Sequence, residues 1–163
     1  MKTFRSLLLP TWCLLLAGLP LLSCTPPAET LTGTVTRISD GDTFHMLLAD
    51  KTTRKVRLYG VDSPEKNQPF YRQARNTLSD LIFQKQIKVV TRSRDQFGRV
   101  LGIAYVHDSC VNELLLRMGM AWHFKRYDQN PEWAKLQQAA RKQRIGLWSD
   151  PNPTPPWAFR KTK

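Results

Sequence analysis

A chain of 163 residues with 41% hydrophobic content has the apolar material for one domain with an ordinary core and too little for two. Its 25 Lys and Arg against 13 Asp and Glu give a formal net charge of +12 at pH 7, which points to a polyanionic partner. Three cysteines leave little scope for disulfides, and the first two fall in or beside an N-terminal leader.

That leader comes first in the chain. Lys2 and Arg5 form a short positive region, and Leu7 to Leu22 form a mostly apolar run interrupted by Pro10 and Pro20. The pattern predicts an export signal over 1–23 rather than a spanning helix. Leu21-Leu22-Ser23-Cys24 resembles a bacterial lipobox, which implies cleavage before Cys24 and lipid on that cysteine. An ordinary secretory signal with a cysteine near the cut is the alternative. Residues 24–30, with Pro26 and Pro27, read as an extended tether. The expected location is therefore outside the cytoplasm, on a lipid anchor in the cell envelope. In a host with two membranes, Thr25 points to the outer one; without the lipid, the protein is secreted or periplasmic. Cys110 is then the one cysteine of the folded part and reads as a small buried hydrophobe.

The folded part is expected over 31–150. Alternation predicts strands at 31–39, 43–48, 53–61, 86–91 and 99–106, with hairpins about Asp50-Lys51 and about 95–98. Helical spacing predicts three helices. The first begins near Pro69 and buries Phe70, Ala74, Leu78 and Leu81; the second carries Val111, Leu114, Leu115 and Met118. The third opens with Asn130 as N-cap and Pro131 at its first position, and buries Trp133, Leu136 and Ala140. The order is βββαββαα, an α+β chain that is mainly β. Residues 151–163 form a proline-rich basic tail, expected to lie on the surface without helix.

The hairpin register bears on chemistry. A two-residue turn between Asp50 and Lys51 pairs Asp42 with Tyr59 and makes Arg57 its diagonal neighbour on the same face. Asp62 and Glu65 follow just beyond that end. Carboxylates around one point without His or Cys favour an oxygen-loving cation, calcium or magnesium, over zinc. His45, His107 and His123 lie in different elements and make no metal-ligand spacing. A cation would polarise a phosphoryl group, a further carboxylate would take a proton from water, and two arginines would offset charge on phosphate oxygens. Basic residues clustered at 51–57, 85–94, 141–144 and 160–163 suit nucleic acid, or equally a solvated basic face or one lying on anionic lipid head groups.

Asp40-Gly41-Asp42-Thr43, Arg57 followed by Val61-Asp62-Ser63-Pro64-Glu65, Asp95-Gln96-Phe97-Gly98-Arg99, Val111-Asn112-Glu113 and Gly146-Leu147-Trp148-Ser149 together resemble the staphylococcal nuclease (thermonuclease) family. The likeness covers roughly 31–150. It implies a five-stranded OB-fold barrel with three α-helices, acting as a monomer that hydrolyses DNA and RNA with calcium (Ca2+) and leaves 3′-phosphate ends. Carried over by position, Asp42, Asp62 and the Ser63 carbonyl are the implied calcium ligands, with Thr43 behind them. Glu65 is the implied general base, and Arg57 and Arg99 the implied phosphate clamp. Asp40 and Gly41 read as turn formers.

Departures from the family pattern shape the expectation. Phe97 replaces a tyrosine, which removes a hydroxyl that would bond a terminal phosphate and leaves a ring for base stacking. Phe124 likewise stands where a hydroxylated aromatic is common, and Trp122 reads as either core or stacking surface. Phe70-Tyr71-Arg72-Gln73 lacks the acidic residue expected at the start of the first helix. The alternatives to catalysis are an OB-fold module that holds nucleic acid without cutting it, and an envelope protein binding anionic polymers.

Overall fold

The structure, a computed structural model, describes residues 29–162. The signal, Cys24 and most of the tether lie outside the described residues.

Five strands form the body. β1 (Thr30–Ile38), β2 (Thr43–Leu48) and β3 (Thr53–Leu58) make an antiparallel meander, and β5 (Gln86–Arg94) and β6 (Val100–Val106) a second hairpin. β1 pairs with β5, and β3 pairs in parallel with β6 at Val56↔Val100 through Leu58↔Gly102. The last pairing closes the sheet into a barrel, which removes its open edges. This is the expected OB-fold barrel. Its interior is filled by Val35, Phe44, Met46, Val56, Leu58, Val89, Val100 and Ala104, all essentially excluded from solvent.

Among the described residues, four α-helices, 3₁₀ turns at Gly146–Ser149 and Arg160–Thr162, and three short pairing segments complete the fold. β4 (Val61–Asp62) pairs with β8 (Trp122–His123), and β7 (Ser109–Cys110) extends β6. α1 (Tyr71–Ile82), α2 (Val111–Arg117) and α3 (Pro131–Lys142) are the three expected helices. Asn130 caps α3 through its side chain, accepting from the Glu132 amide, with Pro131 next. The buried faces differ in detail from the periodicity. α1 buries Ala74, Leu78 and Ile82 rather than Leu81, and α2 buries Leu116 while Met118 is exposed, because α2 ends at Arg117 before Gly119 turns left-handed at φ 62°. Gly146 meets Gly119 where two backbones cross: the Leu147 amide donates to the Gly119 carbonyl at 2.9 Å, and a Cβ on Gly146 would lie 2.4 Å from that oxygen.

Two expectations are corrected. The first hairpin pairs Thr43 with Arg57 and Phe44 with Val56, one residue out of the expected register, so Asp42 faces Leu58, whose amide donates to the Asp42 carbonyl at 2.8 Å. The cause is a three-residue loop: Lys51 takes a left-handed φ of 63°, and the Asp50 carboxylate accepts from the Thr52 amide and hydroxyl at 2.9 and 2.6 Å. The tail also folds. Pro155 and Pro156 pre-set the backbone for a short helix, α4 (Pro156–Phe159), continued by a 3₁₀ turn at Arg160–Thr162. Pro156 is buried, and Trp157 packs against the small core of Trp122, Ala140, Leu147 and Trp148. Trp122 is thereby assigned to the core.

Candidate active site

The site sits where β3 ends. Gly60, at φ 70°, breaks the strand, and a Cβ there would strike Asp128 and Trp133. The chain then re-enters as β4, delivering Asp62, Ser63 and Glu65 beside the Asp40-Gly41-Asp42 turn. That turn packs close enough to α1 that a Cβ on Gly41 would lie 2.8 Å from both the Ala74 and Ser63 Cβ atoms. Its glycine is therefore needed for the approach and not only for the bend.

Arg57 joins the two aspartates. Its guanidinium donates to Asp42 Oδ1 at 2.5 Å and to Asp62 Oδ1 at 2.7 Å, and both carboxylates are almost fully buried. Asp42 also accepts from the Thr43 hydroxyl at 3.0 Å and, through Oδ2, from the Ser63 amide at 2.9 Å. Burial lowers the Arg57 pKa, but the charges of Asp42 and Asp62 outweigh it and keep the guanidinium firmly protonated. Burial pushes the Asp62 carboxyl up, an effect the arginines oppose and Asp42 reinforces. Asp40, read as a turn former, belongs to this cluster: its carboxylate accepts from the Asp42 amide at 3.1 Å, and burial followed by the Asp42 charge pushes its pKa up to about 7. Asp40, Asp42 and Asp62 thus gather around one guanidinium, Arg57, and each carboxylate resists the ionisation of the next.

A small pocket of about 100 Å³ opens against Asp40, Asp42, Arg57, Ser63, Pro64, Glu65, Lys66 and Tyr71. Among the described residues no three His, Cys, Asp or Glu side chains form a ready-made cage. The donors are all oxygen, which fits a hard cation held by few protein ligands, its shell completed by water and phosphate. Asp62 is buried behind the lining of that pocket, bridged to Asp42 through Arg57. Both of its oxygens are taken by guanidinium groups, from Arg57 and, unexpectedly, from Arg160.

Beside this pocket lies a cleft of about 730 Å³ whose walls carry Arg57, Glu65, Arg99, Phe97, Tyr127 and Arg160. The cleft therefore unites Glu65, the implied general base, with Arg57 and Arg99, the implied phosphate clamp. Arg99 is reached by the Asp95 turn. Asp95 accepts from the Phe97 and Arg99 amides at 2.9 and 3.0 Å and from Arg99 Nε at 2.7 Å. Arg99 contacts Asp95 and not the Asp42/Asp62 pair. Phe97 is 74% exposed, free to present its ring, with the Arg99 guanidinium 5.6 Å from its centroid. Phe124 is instead occupied, stacked on Trp157 at 5.0 Å. Tyr127, three residues later, and Tyr59 line the cleft.

The remaining motif residues are structural. Buried Asn112 accepts from the Ala104 amide at 3.1 Å and donates to the Tyr59 carbonyl at 2.8 Å, tying α2 to the barrel and to the bend before Asp62. Glu113 accepts from the Trp133 indole at 3.2 Å. His123 is buried against Asp128 at 3.0 Å. Cys110 is half-buried, and burial pushes its thiol pKa up, as befits an unreactive side chain. Sequence reasoning missed Asp40 as a member of the acidic cluster, although its adjacency to Asp42 was a signal. It also missed Arg160, for which no local pattern gave one.

The family model described as staphylococcal nuclease homologue matches residues 55–150, a segment that contains Arg57, Asp62, Glu65 and Arg99 but not Asp42. A protein of Haemophilus influenzae named as an uncharacterized endonuclease is 38% identical over 127 residues, 78% of this chain and 71% of its own. An Escherichia coli protein of the same name is 39% identical over 132 residues, 80% of this chain and 86% of its own. A micrococcal nuclease of Shigella flexneri is 35% identical over 156 residues, 89% of each chain. With its barrel, its acidic pair bridged by Arg57 and these relatives, the chain belongs to the staphylococcal nuclease family and is a nuclease, a hydrolase of phosphodiester bonds.

Proposed function

We propose that the protein is an exported, calcium-dependent nuclease that cuts both DNA and RNA and leaves 3′-phosphate ends, working as a monomer outside the cytoplasm on a lipid anchor at Cys24. The observation that carries the catalytic part is the Arg57 bridge between Asp42 and Asp62 at the mouth of a cleft that also displays Glu65 and Arg99. The micrococcal nuclease name of one relative supports it. Asp42, Asp62 and the Ser63 carbonyl would hold the calcium, which when bound supplies Lewis-acid polarisation of the phosphoryl group.

The chain's own groups account for the rest. Glu65, on the wall of both pocket and cleft, takes a proton from the attacking water. Arg57 and Arg99 approach the phosphate from the cleft side and offset the charge that develops on its oxygens. Thr43 fixes one Asp42 oxygen and the Ser63 amide the other, so that carboxylate cannot rotate. The charges and rings among the groups lining the cleft engage backbone and base faces present in DNA and RNA alike.

Release of acid-soluble nucleotides from single-stranded DNA and from RNA, with calcium and with chelator, tests the reading. Calcium-dependent release from both, with phosphate on the 3′ ends, supports it. Tight nucleic-acid binding without release replaces it with a non-catalytic module.

A further inference from the structure

The C-terminal tail delivers a cation into the acidic cluster. Arg160 donates to Asp62 with both terminal nitrogens, at 3.2 Å to Oδ1 and 2.8 Å to Oδ2, and to Glu65 Oε1 at 2.5 Å. One guanidinium therefore spans the expected metal ligand and the expected base. Burial lowers the Arg160 pKa, yet hydrogen bonds to Asp62 and Glu65 outweigh it, and the net direction is up.

The segment that carries Arg160 is anchored at several points. Trp157 lies flat on Phe124, 5.0 Å away at 3°, and edge-on to Trp122 at 5.5 Å, while Pro156 is buried. Gln68 supplies a second, polar tie. Its carbonyl accepts from the Glu65 amide at 2.9 Å, and its amide nitrogen donates to the Thr154 carbonyl at 2.6 Å. The Glu65 turn and the tail are thus joined twice, by a buried side-chain amide and by the guanidinium.

We propose that Arg160 is a third arginine of the active site, a positioning residue that serves as the internal counter-ion of Asp62 and Glu65 and competes with a divalent cation for Asp62. The inference rests on the calcium-dependent reading above. Asp62 Oδ1 is shared by two guanidinium groups and Oδ2 accepts from Arg160, so a divalent cation brought to this carboxylate meets the positive charge of Arg160 at contact distance. Binding of a cation to Asp62 and the Arg160 contact therefore oppose one another, and the two equilibria are linked. A guanidinium released from Asp62 stays within the same cleft as Arg57 and Arg99, where a substrate phosphate is its next anionic partner.

The test is calorimetric titration of calcium into the mature chain without nucleic acid, for the parent, Arg160→Gln and Arg160→Lys. Arg160 is 40% exposed, so the discounted strength of its contacts predicts that Arg160→Gln binds calcium about fivefold to twentyfold more tightly than the parent. Arg160→Lys, which keeps the charge but not the fork, falls between them. A merely structural role would weaken binding or leave it unchanged, and equal or weaker affinity in Arg160→Gln overturns the proposal. The kinetic arm is nucleotide release at saturating calcium. There Arg160→Gln is expected to raise KM several-fold through loss of a phosphate contact, and an unchanged KM overturns the second role. If the parent binds no calcium and cuts equally well in chelator, the calcium reading falls together with the inference, a result distinct from parent and variant binding alike.

Discussion

Phe124 and Trp157 lie face to face, 5.0 Å apart with their planes 3° from parallel, and this stack fastens the C-terminal tail across the end of the barrel. Trp157 also meets Trp122 edge-on at 5.5 Å, and Trp122 in turn meets Trp148 at 4.3 Å. The tail is thereby continuous with the second apolar cluster. Trp157→Ala removes both ring contacts from a partly buried position, so a loss of about 1–2 kcal/mol is expected, below the cost of a fully buried tryptophan. Thermal denaturation measures the loss. Limited trypsin digestion should also show faster cleavage after Arg160, and an unchanged rate there would mean that the stack does not hold the tail.

Asn112 serves a structural purpose that its place in a family motif does not reveal. Its side chain satisfies the buried Ala104 amide and the Tyr59 carbonyl together. Asn112→Ala leaves both without a partner, at about 1–3 kcal/mol for each buried group. The expected loss in urea denaturation is therefore about 2–5 kcal/mol. A variant as stable as the parent would show that water replaces the amide.

The strands, the three principal helices and the acidic pair were legible in the sequence because each rests on local signals: alternation, helical spacing, and turns with the carboxylates beside them. The register of the first hairpin was not. Lys51 adopts a left-handed conformation that a lysine does not advertise, and the extra loop residue moved every pairing by one. Arg57 still meets Asp42, because Asp42 lies in the turn before β2 and its side chain is not bound by the strand's alternation. Arg160 lay beyond any local signal. Its approach to Asp62 spans 98 residues and depends on aromatic packing between the tail and the residues around β8, which no periodicity encodes.

The Asp95 turn gives a pH dependence. Burial pushes the Asp95 carboxyl up, but hydrogen bonds from the Arg99 side chain and from the Arg99 and Phe97 amides outweigh it and hold the group below its ordinary range. A folded-state pKa below the unfolded value contributes stability that is present above about pH 4 and is lost as pH falls through the folded value. The parent should exceed Asp95→Asn in stability by up to about 1 kcal/mol at pH 6, the pair being partly exposed. The gap should close towards pH 2, and a gap independent of pH would remove the carboxylate's charge from the account.

Arg99→Ala tests the far wall of the cleft. Because Arg99 touches Asp95 and not the acidic pair, its loss should leave calcium affinity unchanged. Turnover should fall by a factor of about 100 or more if its charge acts on the phosphate in the transition state. Unaltered turnover at saturating substrate would reduce Arg99 to a support for the turn.

Glu65→Gln separates binding from chemistry. The substitution keeps the shape of the side chain and its capacity to accept a hydrogen bond from Arg160, but it removes the basicity that would take a proton from water. Turnover should fall by about 100-fold or more, while affinity for single-stranded DNA in chelator stays within a few-fold of the parent. Arg160 makes the comparison more exacting. If Glu65 acted mainly as an anchor for that guanidinium, Glu65→Gln and Arg160→Gln would lower turnover to the same degree, and the double variant would be no worse than either. If Glu65 is the base, its loss dominates, and Arg160→Gln alone leaves turnover much nearer the parent's.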